Sequence, residues 1–283
     1  MLYLRARYYN PADGRFQSRD TWGGDVNHPM SMNRWTYVEG NPINSIDPSG
    51  YITEKESKRA DFLVEKLNNV YNIQIEKDWG YLNDLFYVDP SIRTWTNCQW
   101  VDGDWQDIKE LEWTFEAVKD MAKKFGTQGL FRTAMRWEPV KVYRVPTEYI
   151  FGSGAYSLNN VILPNNVFNQ PSGSFWAKGQ IVHELAHVWD TRQWPIFRLS
   201  NEMMIVTKSF KKVCINGPRG AQSCHLVYDL TGQNEAPPTT YATGYPREDW
   251  AESFATFMYP SWGTLRQIRK GYIERVIKNL KAP

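Results

Sequence analysis

Hydrophobic residues recur with two different spacings along the chain, and the spacing changes near residue 52. The first part alternates in short runs such as LYLRARYY and RWTYVEG, separated by the turn sequences NPADG, NPIN and DPSG. This pattern predicts β-hairpins without a helix, because strands alternate with a period of two and turns favour Asn, Asp, Gly and Pro. Such a segment cannot bury a core by itself, so we predict two domains, residues 1–51 and residues 52–283.

Beyond residue 51 the apolar residues recur every three or four positions, which is the spacing of amphipathic helices. The pattern predicts helices over 54–71, about 104–125, 127–137, about 174–192, 247–259 and about 263–280. Two strands are predicted in KVYRV and SGAYSLNNVILP. Residues 157–163 are either an edge strand that lines a substrate cleft or a plain interior strand. Helices mixed with a few strands predict an α+β fold.

The first and last helices have apolar stripes that should face the core. The stripe of the first helix consists of Phe62, Leu63, Leu67, Val70 and Tyr71. The stripe of the last consists of Leu265, Ile268, Tyr272, Val276 and Leu280. The helix near residue 174 should be capped by Ser172 or Ser174 and ended by Pro195.

The candidate chemistry lies in IVHELAHVWD, residues 181–190. On a helix His183 and His187 project from one face, with Cβ atoms about 5–6 Å apart, so both imidazoles can reach one ion. Glu184 lies between them and is placed to hold a water molecule rather than to bind the ion. This is the HExxH pattern, which predicts a zinc site. The alternative is a plain amphipathic helix with buried histidines, which does not explain the acid between them.

A catalytic zinc site needs a third protein ligand and an open position. The longer signature that supplies a third histidine is excluded, because Asp190 stands where it needs Gly and Gln193 where it needs His. Glu248 and Glu252 share a face of the helix 247–259, so one can bind zinc while the other accepts a hydrogen bond from a ligand histidine. Asp190 is expected to be either a similar hydrogen-bond acceptor or a surface acid.

HELAHVWD and EDWAESF resemble the zinc metallopeptidases called gluzincins, in particular the catalytic domain of anthrax lethal factor and the Pro-Pro endopeptidases. The resemblance covers roughly residues 155–260. It implies a zincin-like domain, with a small mixed sheet, the HExxH helix and a glutamate helix. It also implies Zn2+ as cofactor, Glu248 as third ligand, Glu252 hydrogen-bonded to a ligand histidine, and Tyr241 as a hydrogen-bond donor to the tetrahedral intermediate. Such an enzyme is a zinc endopeptidase with Glu184 as general base, acting on a protein or peptide.

YLRARYYNPADGRFQSRD and NRWTYVEGNPINSIDPSG resemble the C-terminal end of the RHS-repeat core of bacterial polymorphic toxins. The resemblance implies that residues 52–283 are a toxin that a bacterial producer secretes or injects into a target cell. It implies three partners: a cognate immunity protein, the rest of the RHS shell and a delivery machine. It also implies autocleavage near residue 51 with Asp20 and Asp47 as the catalytic pair, although Thr21 replaces the usual proline after Asp20.

Charge and composition restrict the other possibilities. The net charge is +2, from 33 Lys and Arg against 31 Asp and Glu, and gives no electrostatic case for a nucleic-acid partner. The sequence has no run of about 18 apolar residues, so no membrane span is predicted. MLYLRARYYN lacks the apolar core of a signal peptide, so we expect any export to use another route. Cys214 and Cys224 flank a Gly/Pro turn and form either a hairpin disulfide or two reduced thiols; Cys98 is expected to be unpaired.

Two other functions compete with the endopeptidase. One is a non-catalytic, zinc-stabilised binding or structural module, and the other is a zinc hydrolase acting on cell-wall peptide. Glu184 and Tyr241 favour catalysis over the structural module, because a structural zinc site closes its fourth position with a protein ligand and needs no general base.

Overall fold

The computed structural model describes residues 1–4, 7–20, 29–43, 54–76, 108–145, 156–157, 160–168, 170, 172–193, 198–216 and 222–280. The chain divides into two compact units, Met1–Lys66 with Asp104–Phe115, and Leu67–Gly103 with Glu116–Pro283. The described part is mixed α+β, mostly helical, with small sheets, which agrees with the predicted fold class. The domain boundary at residue 51 stays a prediction.

The first unit contains a three-stranded antiparallel sheet, with β1 (Leu2–Leu4), β2 (Arg7–Asn10) and β3 (Arg15–Phe16) in that order. The hairpin predicted from LYLRARYY is therefore confirmed. The hairpin predicted from RWTYVEG is not: this run forms a 3-10 turn at Tyr37–Gly40 with a single bridge from Thr36 to Arg15, and another 3-10 turn precedes it at Pro29–Met32. Asp20 pairs with Arg7 at 2.9 Å. Asp47 lies outside the described residues, so the predicted autocleavage pair stays a prediction.

Eight α-helices occur in the part of the chain that the structure describes. They are α1 (Glu54–Tyr71), α2 (Ile108–Phe125), α3 (Gln128–Ala134), α4 (Asn165–Phe168), α5 (Ser174–Arg192), α6 (Leu199–Thr207), α7 (Pro246–Met258) and α8 (Gln267–Leu280). Helices α1 and α5 have the predicted bounds, and α2 ends where predicted, before Gly126. Helices α4 and α6 were not predicted, because each is too short to establish a helical period.

Three local predictions are corrected. Phe62 is 45% exposed, whereas Leu63 and Leu67 of the same stripe are fully buried. Helix α8 buries Tyr272 of the predicted stripe, but its other buried residues, Arg269, Ile273 and Ile277, lie outside that stripe, and Arg269 is buried in an ion pair with Asp249. Gly173, with a φ of 53°, stands at the N-cap of α5, and no side chain caps that helix. Pro195 lies outside the described residues.

The second unit contains a four-stranded mixed sheet. Strands β4 (Ile73–Glu76), β5 (Val140–Val145) and β7 (Val161–Pro164) pair in parallel, and β6 (Tyr156–Ser157) pairs antiparallel with β7, in the order β4-β5-β7-β6. The edge-strand interpretation of 157–163 is wrong for residues 161 and 162, because β7 pairs there with β5 on one side and with β6 on the other. All four residues of β7 are buried. At this edge of the sheet the outer strand is β6.

A separate hairpin pairs β8 (Phe210–Asn216) with β9 (Gln222–Tyr228). Cys214 lies opposite Cys224, and the two are joined by a disulfide bond, which selects one of the two predicted alternatives. Cys98 lies outside the described residues. No helix in the described ranges is both long and apolar enough to cross a membrane.

An aromatic cluster packs α7 against α5. Trp189 of α5 lies 5.4 Å from Trp250 and 5.5 Å from Phe254, between ring centroids. Trp250 is fully buried, and its Nε1 donates a hydrogen bond to the carbonyl of Ala186 at 2.9 Å. Because this bond joins the side chain of one helix to the backbone of the other, it sets how the two helices face each other.

Candidate metal centre

Three side-chain atoms from α5 and α7 converge on one point. Nε2 of His183 lies 3.1 Å from Nε2 of His187, and each lies 3.2 Å from Oε2 of Glu248. In a tetrahedral zinc site with bonds of about 2.0–2.1 Å, neighbouring ligand atoms are about 3.3 Å apart. The observed triangle therefore fits three ligands of one metal ion with bond lengths like those of zinc.

The burial of the triangle follows from the composition of α5. Every residue from Ile181 to Asp190 is buried, so both histidines are removed from solvent, at 3% and 6% exposure. Glu248 lies in the first turn of α7, after Pro246 at the helix start, and its side chain is 21% exposed. Two neutral imidazoles with facing nitrogens repel unless a proton or a metal lies between them, so the arrangement favours a cation.

Glu184 lies beside the triangle without belonging to it. Its Oε1 is 3.9 Å from Nε2 of His183, and the residue is 2% exposed. This distance is longer than a hydrogen bond, so the Glu184 carboxylate lies close to the three candidate ligand atoms without bonding to His183. The geometry is compatible with the general base that HExxH predicts, and that role stays a prediction.

Glu252 contacts the far side of His183. Its Oε1 lies 2.9 Å from Nδ1 of that ring, a distance typical of an ion pair, although the ring N–H is not aligned for a standard hydrogen bond. Glu252 is 4% exposed. Since Nδ1 faces Glu252 and Nε2 faces Glu248, the geometry separates the two glutamates, as the resemblance implies. Nδ1 of His187 is buried and has no hydrogen-bond partner among the described residues.

Asp190 is fully buried, so the prediction of a surface acid is wrong. Its two carboxylate oxygens accept hydrogen bonds from the backbone N–H of Ser200 at 2.9 Å and from the Ser200 hydroxyl at 2.8 Å. Ser200 lies in the first turn of α6, where backbone N–H groups lack helical partners. Asp190 thus ties the end of the HExxH helix to the start of α6.

Tyr241 stands in the 3-10 turn Tyr241–Thr243, with its ring centroid 6.1 Å from that of His183. The residue is 64% exposed. Partial burial of the hydroxyl, together with the negative charges of Glu248, Glu184 and Glu252, raises the pKa of Tyr241 to about 12. The phenol therefore stays protonated at neutral pH and is able to donate a hydrogen bond.

Charges within the centre oppose the effect of burial. Burial by itself would lower the pKa of His183, but Glu248, Glu252 and Glu184 outweigh it and raise that pKa to about 10. Burial would raise the pKa of Glu248, but hydrogen bonds and charges from His183 and His187 hold it well below its usual range. The carboxylates thus favour positive charge at this point, which is the electrostatic requirement for binding a cation.

The sequence did not reveal several residues around the site. Thr239 and Trp262 contact the Glu252 carboxylate, and Gly179 of α5 lies against the Trp262 ring. The one local signal was Gly179 itself. A glycine inside a helix is unfavourable, so its presence suggests that another group approaches the helix closely at that position.

Comparisons with known proteins add a short match. No protein-family model and no solved structure matches the chain. Over 51 residues it is 39% identical to the tRNA(Glu)-specific nuclease WapA of Bacillus subtilis subsp. natto. It is 37% identical to the tRNA nuclease WapA of Bacillus subtilis strain 168 and to the tRNA3(Ser)-specific nuclease WapA of Bacillus spizizenii. Each match covers 18% of this chain and 2% of the relative.

The match does not identify the kind of toxin domain. His187 and Glu248 are 61 positions apart, so a match of 51 residues cannot include both. The matched stretch therefore does not include all three candidate ligands, and the nuclease names describe the relatives only.

Proposed function

We propose that this chain carries a zinc-dependent endopeptidase of zincin type, which acts as the C-terminal toxin of an RHS-type polymorphic toxin. The observation that carries the proposal is the triangle of His183, His187 and Glu248, with edges of 3.1 and 3.2 Å and Glu184 beside it. Three ligands with an open fourth position and a neighbouring carboxylate are characteristic of catalytic rather than structural zinc.

A zinc ion held by the triangle would act as a Lewis acid toward a carbonyl group and would lower the pKa of a water molecule. Glu184 accepts the proton of the attacking water and transfers it to the leaving amine. Tyr241 donates a hydrogen bond to the oxyanion that develops on the scissile carbonyl. Glu252 keeps the ring of His183 in place from behind.

The WapA match and the resemblance of the first 51 residues to an RHS core support the toxin context. We infer a bacterial producer, secretion or injection into a target cell, a cognate immunity protein, and association with the rest of the RHS shell. The match also suggests a second candidate function, a tRNA nuclease, because the matched relatives carry that name. The near-neutral charge of +2 favours a protein substrate over a nucleic acid.

The test measures zinc content and hydrolysis on the same samples of wild type, Glu184→Gln and Glu248→Ala. Substrates are casein, a peptide library, tRNA and cell-wall peptide. We expect about one zinc per chain and peptide cleavage by wild type, retained zinc without cleavage for Glu184→Gln, and weakened zinc binding for Glu248→Ala. Cleavage of tRNA or of cell-wall peptide alone would replace the proposal with that function. Zinc bound by a wild type that cleaves no substrate and is harmless in cells lacking the immunity partner would indicate the structural module.

A further inference from the structure

The carboxylate of Glu252 is contacted from three directions. Oγ1 of Thr239 donates a hydrogen bond to Oε2 at 2.6 Å, and Nε1 of Trp262 lies 3.3 Å from Oε2 and 3.4 Å from Oε1. Nδ1 of His183 lies 2.9 Å from Oε1. Because Glu252 is 4% exposed, solvent cannot readily replace the donors Thr239 and Trp262 if one of them is removed.

Trp262 reaches Glu252 because α5 has no side chain at Gly179. A Cβ atom at Gly179 would lie 2.2 and 2.3 Å from two atoms of the Trp262 ring, far inside van der Waals contact. Gly179 stands one helical turn before His183, so the indole lies beside the same part of α5 that presents the metal ligand. On its outer side the indole packs on Trp176, with 4.8 Å between ring centroids.

Thr239 connects Glu252 to the turn that carries Tyr241. While its hydroxyl donates to Glu252, its oxygen accepts a hydrogen bond from the backbone N–H of Ala242 at 3.3 Å. The backbone near Thr239 is also held against the residues that follow Trp262, because Thr264 N–H donates to the carbonyl of Pro238 at 3.1 Å. The two donors to Glu252 therefore come from segments that contact each other.

We propose that Thr239 and Trp262 are positioning residues of the metal centre. Together they hold the Glu252 carboxylate, and Glu252 holds the ring of His183 so that Nε2 stays in the triangle with His187 and Glu248. Partners of this kind orient a ligand histidine and commonly change metal affinity about 10–100-fold when removed. The inference rests on the proposed zinc site and extends it to residues that touch neither the metal nor the substrate.

The experiment measures the zinc dissociation constant by competition with a chromophoric chelator, independently of any hydrolysis. Thr239→Val removes the hydroxyl at nearly constant volume, and Trp262→Phe removes the N–H while keeping an aromatic ring. We expect the double variant to bind zinc about 10–100-fold more weakly than wild type, with each single variant in between. Thr239→Ser restores the hydroxyl and should bring the dissociation constant back toward that of wild type.

Thr256→Val is the matched control. The Thr256 hydroxyl is also buried and also bonds to Glu252, but to its backbone carbonyl, at 2.7 Å, rather than to its carboxylate. The same substitution there should lower the unfolding temperature while leaving zinc affinity close to that of wild type. If Thr256→Val weakens zinc binding as much as Thr239→Val does, general loss of stability explains the effect and the positioning role is wrong.

The outcomes separate this inference from the proposed function. If wild type binds zinc and the double variant binds it equally tightly, the positioning role is wrong and the zinc site stands. If wild type binds no zinc, the proposed function fails, and crystal structures of zinc-free wild type and double variant decide the positioning role. Movement of the Glu252 carboxylate away from His183 in the double variant alone would support that role, and an unchanged contact would overturn it.

Discussion

The guanidinium of Arg269 binds the carboxylate of Asp249 through two hydrogen bonds, from Nε to Oδ1 at 2.9 Å and from Nη2 to Oδ2 at 2.8 Å. Both residues are buried, at 0% and 1% exposure. Ser209 donates a further hydrogen bond to Oδ2 at 2.9 Å. Since Asp249 directly follows Glu248, the ion pair joins α8 to the helix that carries this candidate metal ligand. It also gives a buried cationic partner to a carboxylate that is next in the sequence to Glu248.

Replacing Arg269 with Met should lower the free energy of unfolding by about 3–5 kcal/mol, because Asp249 would remain buried without its cationic partner. Denaturation in urea measures this loss. Lys270→Met is the matched control on the same helix, since the Lys270–Glu274 pair is half exposed and its charges are 4.0 Å apart. That variant should change stability by at most about 1 kcal/mol. Equal losses in the two variants would contradict a special role for the buried pair.

The helix that carries the histidines could be predicted from sequence, because its information is local. Residues 174–192 form α5 as predicted, and i, i+4 spacing by itself puts His183 and His187 on one face. Placing Glu248 beside the histidines required more than local information, because its position depends on how α7 packs against α5. That packing uses Trp250 and the Ala186 carbonyl, which are far apart in the sequence.

The predictions that failed involve long-range partners. The predicted stripe of α8 omitted Arg269, because the burial of an arginine depends on partners elsewhere, here acids from two other segments. Asp190 was not linked to Ser200 for the same reason. Residues 161 and 162 could not be assigned to an interior strand, because the position of a strand in a sheet depends on partners that local alternation does not specify.

Tyr241→Phe should reduce turnover roughly 10²–10³-fold if the phenol donates to the oxyanion, with little change in KM or in zinc affinity. Burial and the negative charges of Glu248, Glu184 and Glu252 raise the pKa of Tyr241 in the metal-free protein, so the phenol there is a protonated donor at neutral pH. Tyr245→Phe is the matched control, since Tyr245 is similarly exposed, at 68%, and precedes the same helix. Steady-state kinetics on a cleaved peptide measures turnover and KM for the two variants. Equal effects of the two substitutions would count against the donor role.

Zinc binding should release a proton near neutral pH. In the metal-free protein the pKa of His183 is raised to about 10, so the ring is protonated at pH 7, and zinc must displace that proton. The raised pKa stabilises the metal-free fold fully below the ordinary value of 6.5, and this contribution is lost as the pH rises through 10. Zinc affinity should therefore increase with pH over the same range. Calorimetry in two buffers of different ionisation enthalpy should report release of about one proton, and no release would contradict the charge assignment.

The Cys214–Cys224 disulfide should stabilise its hairpin without affecting the metal centre. Most side chains of β8 and β9 are exposed, and a hairpin without a buried face is marginally stable in water. The bond closes a loop with a sequence separation of 10, and such a crosslink is worth roughly 2–4 kcal/mol. Replacing both cysteines with Ser should therefore increase hydrogen exchange in Phe210–Asn216 and Gln222–Tyr228, while zinc affinity stays unchanged because the ligands lie on α5 and α7. Wild type treated with a reductant is the matched control and should show the same increase. Loss of zinc affinity in either sample would show that the hairpin supports the metal centre.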